Sequence, residues 1–394
     1  MTMAAPTIPA TQLIEILDAP VRTHRIDLVG AVALPHDLDH GPDYLTWLTN
    51  DHHARLDYMC RDPEDRLDPT RQRPWAATLL VFGQRYVNGW APDDDEAVDG
   101  CGEDRPWTDG VSRYARGDDY HDVLRGSIRR ITVHLREELL RRGVLADAGD
   151  LQCVDAVDAG PYLEREYAWL AGFGFFGKNT LLIHPRLGSG LFLGVALTNL
   201  RVTGLADAPR PLLGPPALSK PGNEAMTSLC GTCTACLEAC PTSAFPQPFV
   251  LDANQCLSAW TIEWRGGAPA DRRREQGGRL FGCDICQQIC PWNHKAARLA
   301  LDQPRDEYAV SPAHAEIDLA DLIRIDAGTF KARFRRSPLW RAHPEGMRRN
   351  ALVVAANTGR RDLVPVIRTV AADDPDPDVR AVARWALTEL EGDA

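Results

Sequence analysis

Eight of the eleven cysteines fall between Cys230 and Cys290, and their spacing is that of a metal-binding framework. The first run reads Cys230-x2-Cys233-x2-Cys236-x3-Cys240-Pro241. The second reads Cys256, then Cys283-x2-Cys286-x3-Cys290-Pro291. A tight loop carrying three thiolates can wrap three corners of one iron–sulfur cube, while the fourth cysteine points to another cube. Pseudo-two-fold logic then gives two ligand sets. Cys230, Cys233, Cys236 and Cys290 hold one [4Fe–4S] cluster, and Cys240, Cys256, Cys283 and Cys286 hold the second. Zinc also takes C-x2-C pairs, but it has no need of two C-x3-C-P endings. Pro241 and Pro291 suit helix starts, where a missing N–H leaves nothing unsatisfied. Cys60, Cys101 and Cys153 stand apart and read as small buried hydrophobes.

The elements that must position this module lie on both sides of it. The chain has 394 residues, enough for two or three domains. Thr11–Asp18 reads as a short helix, and Ile26–Leu34 and Thr78–Phe82 as buried strands. Tyr120–Arg142 places Leu124, Ile128, Ile131, Leu135 and Leu139 on one helical face. Val154–Val157 reads as a strand, a helix runs through Glu164 and Leu170, and Thr180–His184 and Leu191–Leu200 read as further strands. The alternation gives an α/β domain over 1–204, with the strand direction left open. The acidic stretch Trp90–Thr108 reads as a solvated loop, and the proline-rich 205–228 as a linker. The cluster module occupies 229–300. Residues 301–394 read as an all-α domain of HEAT-like units, because Arg348, Ala351, Val354 and Ala355 repeat as Arg380, Ala383, Ala386 and Leu387; plain helical hairpins remain the alternative.

The net charge of −11 counts against a nucleic-acid partner, but its distribution does not. Between Arg324 and Arg361 ten basic residues face two acidic ones. Arg335, Arg336, Arg348 and Arg349 are the candidates for gripping an RNA backbone. The N-terminus lacks a basic and an apolar signal region, and no uncharged apolar run is long enough to span a bilayer. Both point to the cytoplasm, with no membrane partner.

Several motifs together resemble the epoxyqueuosine reductase family. They are Cys230-Gly-Thr-Cys-Thr-Ala-Cys-Leu-Glu-Ala-Cys-Pro-Thr242, Phe281-Gly-Cys-Asp-Ile-Cys-Gln-Gln-Ile-Cys-Pro-Trp-Asn293, Leu251-Asp-Ala-Asn-Gln-Cys256 with Thr261-Ile-Glu263, Asp57-Tyr-Met59, Tyr114-Ala-Arg-Gly-Asp-Asp-Tyr-His121, Asp158-Ala-Gly-Pro-Tyr-Leu-Glu-Arg165 and Gly174-Phe-Phe-Gly-Lys178. The likeness runs in order from Asp57 to Asn293. It implies cobalamin bound base-off by the N-terminal domain, with Tyr114, Arg116, Gly177 and Lys178 as candidate contacts. Asp51-His-His53-Ala-Arg-Leu56 does not complete a D-x-H-x-x-G signature, in keeping with cobalamin that has no histidine ligand. The likeness also implies tRNA carrying epoxyqueuosine as substrate, a monomer, and an external low-potential electron donor. It places the proton donor at Asp158; without that likeness Asp158 reads first as a cap for the helix after it. A corrinoid reductive dehalogenase and a non-catalytic electron carrier are the competing readings.

Overall fold

The computed structural model describes residues 5–87, 90, 107–205, 210–217, 229–299, 305–315 and 318–392. Its N-terminal half is built on a four-stranded sheet of order β2-β3-β7-β4, with β2 at Leu28–Ala33, β3 at Thr78–Arg85, β4 at Cys153–Ala156 and β7 at Leu191–Thr198. Every pairing is antiparallel. β3 is buried at all eight positions, which explains its unbroken apolar start. Leu80 and Phe82 face the helices Ala10–Thr23 and Tyr120–Arg141, while Leu79 and Val81 face Tyr167, Trp169 and Phe173 on the other side. The helix Tyr120–Arg141 buries Leu124, Ile128, Ile131, Leu135 and Leu139 as its periodicity requires. A small parallel pair, β1 (Thr7–Pro9) with β8 (Arg201–Thr203), closes one side. A hairpin, β5 (Phe175–Phe176) with β6 (Leu182–Ile183), projects toward the cysteines. It is shorter than the run Thr180–His184 suggests, because Thr180 sits in a left-handed turn with φ +65°.

Two segments expected to be free of the fold are anchored to it. Trp90, Trp107 and Thr108, at the ends of the acidic stretch, are buried; the stretch between lies outside the described residues, as does Cys101. Large apolar rings at both ends are the physical reason a purely solvated loop fails as a description. Within 205–228, Leu212 and Leu213 donate backbone hydrogen bonds to Val29, so this part is pinned to β2 rather than a linker. Most of the rest of 205–228 lies outside the described residues.

The C-terminal region is helical: Leu319–Ile323, Ala327–Phe334, His343–Asn357, Val364–Asp373 and Pro377–Glu391. Its core is continuous with Trp107, Val111, Ala115, Ile262, Leu280 and Phe281, so the helices and the cluster module share one apolar interior. Residues 305–308 instead return to the sheet domain, where Tyr308 is buried and donates to Gln84 Oε1 at 2.6 Å. Residues 305–308 thus belong with the sheet domain rather than with the C-terminal helices.

Candidate active site

The cysteines gather in two groups. Around the Cys236 thiol lie Cys290, Cys230 and Cys233. Around Cys286 lie Cys283 and Cys256, and Cys256 is in turn close to Cys240. The groups adjoin, since Cys236 also acts on Cys286. Burial, reinforced by neighbouring thiols, pushes Cys236 up to about 11 and Cys283 up to about 12. Four crowded thiols are costly to ionise unless a metal cluster takes the charge. Among the described residues no three His, Cys, Asp or Glu side chains are grouped so as to hold a single metal ion. The backbone N–H groups of Ser258 and Ala259 point at Cys256, and that of Ala244 reaches Cys240 Sγ at 3.4 Å. Such N–H···S contacts set the potential of an iron–sulfur cluster. The donor set fits two [4Fe–4S] clusters. Pro291 opens the helix Pro291–Leu299, whereas Pro241 opens a turn in which Ser243 N–H donates to Cys240 O at 3.1 Å.

A second centre forms around Asp158. Its backbone is left-handed, φ +50°, and its side chain is 55% exposed. It does not cap the following helix, which begins at Glu164 after Leu163 with no side-chain cap. Its carboxylate instead accepts a hydrogen bond from Tyr120 Oη at 2.6 Å. His121 Nε2 and Arg341 Nη2 each stand 3.8 Å from the same oxygen. His121 stacks on Tyr120, and its Nδ1 lies 2.6 Å from Asp119 Oδ1. Its Nε2 lies 3.1 Å from Arg341 Nη2. Arg341 Nη1 also approaches Glu263 Oε1 at 3.4 Å, which brings the cysteine module to the same spot. Burial, with Glu263 and Asp158 nearby, pushes Tyr58 up to about 12. Burial likewise holds Tyr114 and Tyr120 well above the usual phenol range. Arg66 braces the loop from below, donating to Tyr58 O at 2.7 Å and toward Gly160 O at 3.5 Å.

Residues 229–293 match the family described as "4Fe-4S double cluster binding domain", and residues 66–148 match "Epoxyqueuosine reductase QueG, DUF1730". The epoxyqueuosine reductase of Pseudomonas aeruginosa is 33% identical over 353 residues, covering 89% of this chain and 87% of that one. That of Xanthomonas campestris is 33% identical over 348 residues, covering 87% of each. The chain belongs to the epoxyqueuosine reductase family. A crystal structure of an epoxyqueuosine reductase with an epoxyqueuosine-modified tRNA-Tyr stem loop superposes with a TM-score of 0.77 at 26% identity, covering 97% of this chain and 91% of that one. The Bacillus subtilis epoxyqueuosine reductase, in a structure with its catalytic aspartate loop swung out of the active site, gives 0.73 at 26% identity with the same coverage.

Within this member of the epoxyqueuosine reductases, the four candidate cofactor contacts are engaged by the protein itself. Arg116 donates from Nε to Val111 O at 2.7 Å and from Nη2 to Asp109 O at 3.1 Å. Lys178 Nζ donates to Gly231 O at 2.7 Å and Cys233 O at 3.0 Å. Its neighbour Asn179 donates to Cys286 O at 3.1 Å, so one hairpin turn holds the loops of both cysteine groups. Gly177 shapes that turn: a Cβ there would fall 2.6 Å from both Asn179 Oδ1 and Ile183 Cδ1. Tyr114 packs between Tyr120 and Phe281. All four thus take part in contacts within the protein. Both ring nitrogens of His121, the histidine beside Asp158, are engaged by the protein itself.

The four arginines divide. Arg335 and Arg336 are exposed. Arg348 and Arg349 are buried and cannot meet an RNA backbone. Arg348 Nε lies 2.9 Å from Asp374 Oδ2, and its Nη1 donates to Ile325 O at 2.8 Å. The reason is the helix they occupy. Gly346–Ala355 is buried all round, with Asn350 donating to Thr261 O and Leu280 O of the cluster module. Its unbroken Ala, Leu and Val run is the sequence signal of a central helix, and charge counting overrode it. Tyr120, His121, Glu263 and Arg341 were present in the motifs or the charge count without a role. Glu164, inside the motif Asp158–Arg165, was likewise given no role; its Oε1 is shut off from solvent with no hydrogen-bond partner.

Proposed function

We propose that this chain removes the epoxide oxygen of epoxyqueuosine at the wobble position of tRNA, giving queuosine, with Asp158 as the proton donor. As an epoxyqueuosine reductase it is an oxidoreductase of tRNA modification. The reaction converts an epoxide, two electrons and two protons to an alkene and water. Cys230, Cys233, Cys236 and Cys290 would hold one [4Fe–4S] cluster, and Cys240, Cys256, Cys283 and Cys286 the other, fed by an external low-potential donor. Cobalamin, bound beside them, would supply the low-potential reducing chemistry that opening the strained C–O bond requires. Tyr114, Arg116, Gly177 and Lys178 serve it by fixing the walls of that space. Asp158 protonates the departing oxygen, and Tyr120 holds the carboxyl in place.

The observation that carries this reading is the position of Asp158. It is half exposed on a left-handed turn, hydrogen-bonded to Tyr120, with Glu263 of the cysteine module a guanidinium away. An electron carrier needs no such group. Exposed Arg335 and Arg336, on a helical region we read as HEAT-like, would grip the tRNA backbone; Asp119 N–H donates to Arg336 O at 3.0 Å, which ties that surface to the acid. No helix among the described residues is long and apolar enough to cross a membrane. We take the enzyme to act as a cytoplasmic monomer.

The test is nucleoside mass spectrometry of tRNA digested after incubation with reconstituted protein, cobalamin and a strong reductant. Loss of one oxygen from epoxyqueuosine is expected. Asp158→Asn should keep iron and RNA binding while losing about 10²–10⁴ in rate, the usual worth of one positioned acid. Wild-type turnover of that variant would remove Asp158 from the chemistry.

A further inference from the structure

We infer that Arg341, carried by the C-terminal helical region, is the positioning residue that aligns Asp158 and compensates its charge once the proton has left. The inference rests on Asp158 being the acid.

The guanidinium is placed among three acceptors. It stands 3.1 Å from His121 Nε2, 3.4 Å from Glu263 Oε1 and 3.8 Å from Asp158 Oδ2. The last distance is a charge contact, not a hydrogen bond. The imidazole is oriented by Asp119, at 2.6 Å from Nδ1, so Nδ1–H donates to the carboxylate and Nε2 accepts from Arg341. Asp119 and His121 thus aim the guanidinium; His121 is not poised to hand a proton to Asp158. When Asp158 gives its proton to the leaving oxygen, a carboxylate appears with Arg341 beside it. A short rotation of a planar fork converts the charge contact into a hydrogen bond.

The groups around Asp158 favour this assignment. Tyr58, Tyr114, Tyr120 and Glu164 all have pKa values pushed up by desolvation, so none of them offers a compensating cation. Glu263, reached by Arg341 Nη1 at 3.4 Å, is a second carboxyl group at the same spot. Arg165, on the helix after Asp158, also acts on it from the sheet domain, and Arg341 supplies a cation from outside that domain. It follows exposed Trp340 and lies on the turn Pro338–Ala342, just after Arg335 and Arg336. The segment we propose for RNA contact therefore also delivers the residue that sets the acid.

Steady-state kinetics of reconstituted holoenzyme on a modified anticodon stem–loop decides the matter, using Arg341→Met, Arg341→Lys, Asp158→Asn and the double variant Arg341→Met/Asp158→Asn. For Arg341→Met we expect kcat to fall about 10–100-fold, the cost of a misplaced group, with KM within about twofold and iron content unchanged. Arg341→Lys should recover part of the rate. Removing a cation beside an acid raises its pKa, so the alkaline limb of the kcat profile should move up in Arg341→Met. The double variant should be no slower than Asp158→Asn alone. Three results overturn the inference: a raised KM at unchanged kcat, which makes Arg341 an RNA contact; lost iron or melting temperature with an unmoved pH profile, which makes it a structural tie; or additive losses in the double variant. A fully active Asp158→Asn would instead sink the underlying acid.

Discussion

The division of the four arginines makes a quantitative prediction about RNA binding. Each protein–phosphate contact releases counterions, and the slope of log K against log salt falls by about 0.7 per contact on single strands and about 0.9 on duplex. If Arg335 and Arg336 each meet one phosphate, Arg335→Gln/Arg336→Gln should lower that slope by about 1.4–1.8. Between about 50 mM and 200 mM salt these two contacts then account for about a tenfold change in affinity. Arg348→Gln should behave differently. Its partner Asp374 has a side chain only 6% exposed, so removing the guanidinium strands a buried carboxylate. Breaking such a pair from one side costs about 3–5 kcal/mol. The salt slope should stay at the wild-type value while the C-terminal region loses stability. Fluorescence anisotropy of a labelled anticodon stem–loop across a salt series gives the slopes. Urea unfolding followed through Trp385, which lies under Arg273, gives the stabilities. An unchanged slope in Arg335→Gln/Arg336→Gln would refute the surface assignment. A reduced slope in a stably folded Arg348→Gln would refute the burial argument.

Two further outcomes follow from the site. Cys256→Ala should lower iron after anaerobic reconstitution from about eight per chain toward about four, while Cys60→Ser and Cys153→Ser leave it unchanged; equal iron in all three would dissolve the two ligand groups. Glu164 carries a linked stability effect, because burial, with Asp158 nearby, pushes its carboxyl up from 4.5 to about 8. The folded state keeps a proton that the unfolded chain releases above about pH 4.5, so this group's contribution falls as pH rises from there and levels off above about 8. The loss approaches 1.4 kcal/mol per pH unit at most, about 1–3 kcal/mol by pH 7. Glu164→Gln should remove that slope in unfolding measurements at about pH 5 and pH 7, and parallel wild-type and variant curves would contradict it.

What was legible in the sequence divides along a physical line. Cysteine spacing could be read because a cubane dictates where its thiolates sit, whatever the surrounding fold. The helix Tyr120–Arg141 could be read because one face must be apolar to cover the sheet. The direction of the sheet could not, since strand runs buried on both faces read alike in either arrangement. Basic residues failed for a related reason. Charge counting assumes exposure, and Arg348 is buried through a partner, Asp374, 26 residues away in the chain. Asp158 was ambiguous because a cap and an acid are the same residue type. The helix after it starts at Glu164 without a side-chain cap, and the contact Asp158 makes instead, with Tyr120 38 residues away, leaves no local pattern.

Chain order also explains how proton and electron chemistry are held in register. The loop at Asp158 leads directly into the helix Glu164–Leu170, then into the hairpin β5–β6. That helix packs against β3, and the hairpin turn bonds through Lys178 and Asn179 to the backbone of both cysteine loops. One continuous stretch of about 25 residues thus carries Asp158, the acid we propose, at one end and clasps both cluster loops at the other, with rigid packed structure between. Tyr120 and His121 fix the acid from the sheet side, and Glu263 and Arg341 approach from the cluster and helical sides. A displacement of the helical region would move Arg341 while leaving the hairpin clasp intact. Electron delivery would then persist without a well-placed proton, and reductant would be spent without turnover. Holding Arg341 through three acceptors on two other parts of the molecule opposes that failure, because the guanidinium reaches its place only when all three regions are assembled.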